Sequence, residues 1–258
     1  MTDKKHIFMK YSYLAITLLA TALCSCTQKE HTLRIEAGNI KVTATDNNGG
    51  AAQVRAILER DKAYIDSIKS PVLGEAAVAL EKYIPESPLM NFAADALMEM
   101  AQQHSDRKVD IALTNKGGLR SNIAAGTITF GDVYNVFTFE NRLAYLTLTG
   151  EQLTQLCKEI AKVGGEAISG MKLVITEDGE LVSATVGGKA IEPQRRYRIA
   201  TLDYLSQGND NLTTLAQGTE LEITKHLLRD LMVEYIKGET AKGKKISAAC
   251  DGRITIKE

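Results

Sequence analysis

Apolar positions recur with two different periods along the chain, and the periods alternate. The segment "AAQVRAILERDKAYIDSIK" (51–69) spaces its apolar residues as one face of a helix, and "SPVLGEAAVALEKYI" (70–84) continues as an extended run. Ser87-Pro88 opens a second helix, "PLMNFAADALMEMAQQH" (88–104). Proline there stands in the first turn, where its missing N–H is not needed. The stripe Leu89, Phe92, Ala96, Leu97 and Met100 is core spacing.

An apolar strand over 109–113 follows, then a turn and short helix in "ITFGDVYNVF" (128–137), a strand in "RLAYLTLTG" (142–150) and a helix in "GEQLTQLCKEIAKV" (150–163). The segment "GMKLVITEDGELVSATVGGKAI" (170–191) predicts strands joined at "EDGE" and "GGK", and "YRIATLDYL" (197–205) another. "LEITKHLLRDLMVEYIK" (221–237) has the spacing of a last long amphipathic helix, and "GRITIKE" (252–258) closes as a strand. Nearer the start, "LRIEAGNIKVTATDNNGG" (33–50) alternates as a small hairpin, and no Glu completes a calcium loop after Asp46. With no internal repeat and no linker, the pattern predicts one α+β domain over 33–258, a mixed sheet packed with helices.

Composition narrows the picture at a few points. Hydrophobic residues make up 44% of the 258, enough for a sizeable core. The formal net charge of −1 gives no global field to recruit nucleic acid. The basic run "KGKK" (242–245) is expected to be a solvated loop.

Residues 1–25 are expected to direct export. Lys4, Lys5 and Lys10 precede the apolar run "LAITLLATAL" (14–23), which is too short to span a bilayer. That run leads into "LCSC", a lipoprotein-type signal that predicts cleavage before Cys26 and lipid on its thiol and amine, with 26–32 as a tether. The alternative is an ordinary secretory signal or a short anchor. Cys157 and Cys250 then remain, either buried as small hydrophobes or paired, since an exported protein can hold a disulfide.

Three segments carry more polar and aromatic specificity than folding requires. In "TNKGGLR", Gly117 and Gly118 permit close approach to the main chain. Asn115 supplies a donor and an acceptor, and Arg120 a planar fork for phosphate or hydroxyl oxygens. In "VFTFEN", Phe139 stands between polar residues just before a strand, and in "DYLSQGNDN" Tyr204 precedes a turn ending in Asp210. Two rings, an amide, a cation and a carboxylate suit a nucleoside, with the base between the rings and the carboxylate on the ribose hydroxyls.

Together "ESPLMNFAADAL", "TNKGGLR", "GTITFGDVYNVFTFENRLAYLTLTGEQL" and "YRIATLDYLSQGND", in that order, resemble the C-terminal domain of the 5′-nucleotidase family. The resemblance implies a domain that binds the nucleoside part of the substrate, beside a separate metallophosphoesterase domain holding two metal ions. It assigns the family's loop asparagine and arginine to Asn115 and Arg120, its stacking rings to Phe139 and Tyr204, and its ribose-binding aspartate to Asp210. Lys116 stands where the family has glycine, Leu119 where it has isoleucine, Tyr204 where it has phenylalanine and Asn209 where it has glycine. A second family arginine would fall on Tyr83, with Lys82 beside it.

A two-metal centre needs several His, Asp and Asn ligands holding ions about 3.5–4 Å apart. After the signal the only histidines are His31, in the tether, His104, at a helix end, and His226, in the last helix, and no Asp-x-His or Gly-Asn-His-Glu element occurs. The expectation is no cofactor on this chain, with divalent metals only on a metallophosphoesterase partner. Two readings stay open: the substrate-binding half of a split 5′-nucleotidase, or a stand-alone nucleoside- or nucleotide-binding lipoprotein.

Overall fold

A computed structural model of the chain describes residues 50–257. The signal, Cys26, the tether and the hairpin expected over 33–50 lie outside the described residues. The elements are α1 (Gly50–Lys69), β1 (Val72–Ala76), α2 (Pro88–Gln103), β2 (Ile111–Thr114), β3 (Gly126–Thr129), α3 (Phe130–Val136), β4 (Arg142–Thr149), α4 (Gly150–Lys162), β5 (Ala167–Ser169) and β6 (Met171–Ile175). They continue as β7 (Leu181–Val186), β8 (Lys189–Ala190), β9 (Arg196–Leu202), α5 (Asp203–Ser206), β10 (Thr219–Leu227), α6 (Leu228–Ala241) and β11 (Ile254–Ile256). The class is α+β, and residues Gln53–Glu258 form one unit.

A five-stranded mixed sheet in the order β10-β4-β9-β2-β5 organises the unit. The central strands β4 and β9 are buried on both faces, which is why "RLAYLTLT" and "RYRIATL" lack a clean polar alternation. Helix α2 lies against β2 and β5 and buries Leu89, Phe92, Leu97 and Met100. Its start is held as the sequence predicts: Ser87 caps the first turn by accepting from Met90 N, and Pro88 follows it. Glu86 is buried here, accepting from Asn91 Nδ2 at 2.6 Å and Asp251 N at 2.7 Å, so it ties the C-terminal segment to α2. A four-stranded sheet β11-β6-β7-β8 and the pair β1-β3 complete the fold.

The spacing over 221–237 misleads. Thr219–Leu227 is strand β10, and the helix begins only at Leu228. Strand β10 pairs with β4 antiparallel through Glu222↔Tyr145 and Ile223↔Ala144. The edge of buried β4 presents backbone groups that need partners, and Thr219, Ile223 and Thr224 accept the extended conformation. His226 therefore sits in a strand, its ring centroid 4.2 Å from that of His104, which caps the end of α2. Strand β3, within the stretch assigned to a turn, is short and pairs only with β1.

Cys157 and Cys250 are both free thiols. Cys157 is buried on α4, and burial pushes its thiol up to about 12, which leaves it inert. Cys250 lies at the surface, 3.5 Å from the Tyr83 hydroxyl.

Candidate functional site

Sheet register brings the three polar segments to one end of the molecule. Strand β2 runs parallel to β9 through Ile111↔Ile199, so Asn115 after one and Tyr204 after the other leave at the same edge. Strand β4 is antiparallel to β9 through Leu143↔Leu202, so Phe139 enters at that edge as well. Strand β5 is antiparallel to β2 through Thr114↔Ala167, which puts Glu166 beside the start of the Asn115 loop. Four segments distant in the chain meet because strand direction dictates it. Open sheets place ligands beyond strand ends for the same reason.

Asp203 fastens the two aromatic segments together. Its Oδ1 accepts from Arg142 N at 2.9 Å and from Tyr204 N at 2.8 Å, linking the start of β4 to α5. The turn after α5 is closed by Asn209 Nδ2 donating to Tyr204 O at 2.7 Å. Downstream, Glu159 of α4 accepts from the Thr213 and Thr214 hydroxyls and from Thr214 N, holding the chain that leaves the turn. Asp210 and Asn211 both have left-handed backbone (φ 57° and 63°), a conformation that Asp and Asn tolerate better than most residues.

Asp210 is the hub of the site. Its Oδ2 accepts from Asn115 Nδ2 at 2.5 Å, and its Oδ1 accepts from the Tyr204 hydroxyl at 2.8 Å. Asn115 is 5% exposed, so its amide is held in one orientation. Bonding to Asp210 raises the Tyr204 phenol above its ordinary value, and the hydroxyl stays a donor at neutral pH. Phe139 is 50% and Tyr204 40% exposed, large apolar surfaces left open to solvent at a polar edge. Asn115, Gly117, Phe139, Asn141, Tyr204 and Asp210 line a cavity of about 220 Å³.

The glycines act through space, and neither has the left-handed backbone that "GG" suggests: Lys116–Gly118 forms a turn of 3₁₀ helix. A Cβ on Gly118 would stand 2.7 Å from Asn115 Oδ1, and one on Gly117 would lie 3.5 Å from Asp210 Oδ2. Side chains there would push on the held amide or crowd the cavity.

Lys116 anchors this turn. Its Nζ donates to the carbonyls of Val163 and Gly165, each at 2.8 Å, and lies 3.1 Å from Glu166 Oε1. Its backbone N donates to Glu166 Oε2. Burial holds the Glu166 carboxyl above the ordinary glutamate value, and the Lys116 donors offset only part of that. Lys82 also serves the loop: its Nζ donates to Leu119 O at 2.6 Å. Arg120 is exposed, with one long contact to Gly117 O at 3.4 Å.

Of the substrate-site residues named from the sequence, Asn115, Gly117, Phe139, Tyr204 and Asp210 line the cavity, Gly118 stands against Asn115, and Arg120 is outside the lining with its one side-chain contact to Gly117 O. The pattern did not single out Asp203, Lys116 and Glu166, which position the others, or Asn141, which lines the cavity. Asn141 carries one signal, standing two residues after Phe139; the remainder depend on partners far away in the chain.

The profile described as "5′-nucleotidase, C-terminal domain" matches residues 68–217. The trifunctional nucleotide phosphoesterase protein YfkN of Bacillus subtilis is 28% identical over 230 residues, 81% of this chain and 15% of that protein. The cell wall protein Lmo0130 of Listeria monocytogenes is 28% identical over 189 residues, 67% of this chain and 24% of that protein. A crystal structure of a 5′-nucleotidase precursor from Thermus thermophilus superposes with a TM-score of 0.66 at 23% identity, covering 81% of this chain and 43% of that one. The chain thus spans less than half the length of these relatives. The fold agrees, and the family match takes in both the loop bearing Asn115 and the turn bearing Asp210: the chain belongs to the 5′-nucleotidase C-terminal domain family.

Proposed function

We propose that the chain binds the nucleoside part of nucleotides, with the base between Phe139 and Tyr204 and the ribose hydroxyls on Asp210. It does so as the substrate-binding half of a split 5′-nucleotidase. The observation that carries this reading is the carboxylate of Asp210, held by Asn115 and Tyr204 beside two half-exposed rings. A stacking platform next to a fixed acceptor is what a base joined to a cis-diol sugar requires. On this reading base and sugar would occupy the cavity of about 220 Å³ and the phosphate would face Arg120, whose guanidinium lies 3.4 Å from the carbonyl of the lining residue Gly117.

Among the described residues no group of three or more His, Cys, Asp or Glu could hold a metal ion. The proposal leaves the phosphate chemistry to a separately encoded metallophosphoesterase, which would supply the metals. Export with lipid on Cys26 would place both at the cell envelope. The relative named as a cell wall protein is in keeping with export.

Calorimetry with adenosine and AMP tests the binding, and phosphate release from AMP tests the division of labour. The expected result is binding by the mature chain alone and phosphate release only when a metallophosphoesterase chain is added. Turnover by the homogeneous chain that is lost on substitution of one of its own Asp or His residues would overturn the split. Tight binding with no release alongside any such partner would favour the stand-alone binding protein.

A further inference from the structure

We propose that the Tyr204 hydroxyl is a positioning group that sets sugar specificity: it fixes the Asp210 carboxylate so that each oxygen keeps one acceptor site for one hydroxyl of a cis-diol. The inference rests on the nucleoside reading of the cavity and adds to it. There the ring alone is needed for stacking, and the family's phenylalanine would serve as well.

A carboxylate offers about four lone-pair sites, two on each oxygen. Asn115 Nδ2 occupies one on Oδ2 and the Tyr204 hydroxyl one on Oδ1. One site on each oxygen is left, enough for the two hydroxyls of a cis-diol. Neither donor is a cation, and among the described residues no Lys or Arg is paired with Asp210.

Two facts make Tyr204 more than an incidental neighbour. Asn209 Nδ2 binds Tyr204 O, and the Tyr204 hydroxyl binds Asp210, so one residue brackets the turn through its backbone and its side chain. Asp210 also stands on left-handed backbone followed by a second such residue, and its side chain is only partly buried. Packing does not choose its rotamer; the two donors do. Asn115 is held by burial, whereas Tyr204 is 40% exposed.

The experiment is calorimetry of the mature chain and its Tyr204→Phe and Tyr204→Ala variants with adenosine and 2′,3′-dideoxyadenosine. Tyr204→Phe should weaken adenosine about 3- to 10-fold, the worth of one side chain that is no longer pre-ordered. It should leave the dideoxy analogue unchanged, so the preference for the diol shrinks. Tyr204→Ala, which also removes the platform, should weaken both ligands. If wild type binds adenosine but Tyr204→Phe keeps or increases the preference for the diol, the positioning role is wrong while the nucleoside reading stands. If wild type binds neither compound, both fall together.

Discussion

The two ends of the cleft are built differently. At the proposed nucleoside end the Asp210 carboxylate has two fixed donors, Asn115 is buried, and Asp203 ties the start of β4 to Tyr204. At the proposed phosphate end Arg120 is exposed, with one side-chain contact at 3.4 Å. Lys82, beside the position where the family resemblance places a second arginine, is bound to the Leu119 carbonyl on the loop itself. Ordering costs are already met at one end and not at the other. A flexible exposed cation gives little net binding on its own, whereas a held acceptor between platforms does not have to be organised by the ligand. The proposed function uses this asymmetry: base and sugar at the ordered end, the phosphate at the open one.

The largest expected effect strikes the foundation of the ordered end. Lys116→Ala removes the tie between the 3₁₀ turn and Gly165 and leaves the Glu166 carboxylate, 3% exposed, without its cation. Breaking a buried pair costs about 3–5 kcal/mol; with Lys116 partly exposed we expect about 2–3 kcal/mol in urea unfolding, and weaker adenosine binding as Asn115 loosens. Adding Glu166→Gln should restore part of the stability. The pH dependence has a definite sign. The raised Glu166 value contributes stability that is full below the ordinary value of 4.5 and lost as pH rises through the folded one. The stability of wild type relative to Glu166→Gln should therefore fall as pH is raised from 4 toward neutrality.

Next comes Asp210→Ala. Hydrogen bonds to a charged group contribute about 1.5–3 kcal/mol, so adenosine should weaken about 10- to 150-fold and 2′,3′-dideoxyadenosine much less. Equal losses for both ligands would make Asp210 a structural residue and erase the contrast between the ends. Phe139→Ala should cost about 1–3 kcal/mol for every nucleoside, whatever its sugar, and a loss confined to one base would replace stacking with edge recognition.

The smallest effect belongs to the loose end. Arg120→Ala should weaken AMP by no more than about 1 kcal/mol, should leave adenosine unchanged, and its effect should shrink with added salt. A loss of a hundredfold for AMP would show that Arg120 becomes ordered on binding and that the two ends are more alike than the unliganded geometry suggests.

Local chemistry determined much of this protein before any contact was formed. Ser87-Pro88 starts α2 because a side-chain acceptor and a fixed φ act within one turn. The capping box of Thr149 and Gln152 starts α4 for the same local reason. The ring, amide and carboxylate of the candidate site could be named because four motifs in order resemble the family. Tertiary structure alone decided the rest. It made a strand of 219–227, because the edge of β4 had to be paired. It gave the Tyr204 hydroxyl a partner six residues away, and it joined Lys116 to Glu166 across fifty positions. Periodicity records how a residue faces its own element. Which loops share an edge depends on strand order and direction, and the chain acquires those only when separate strands pair.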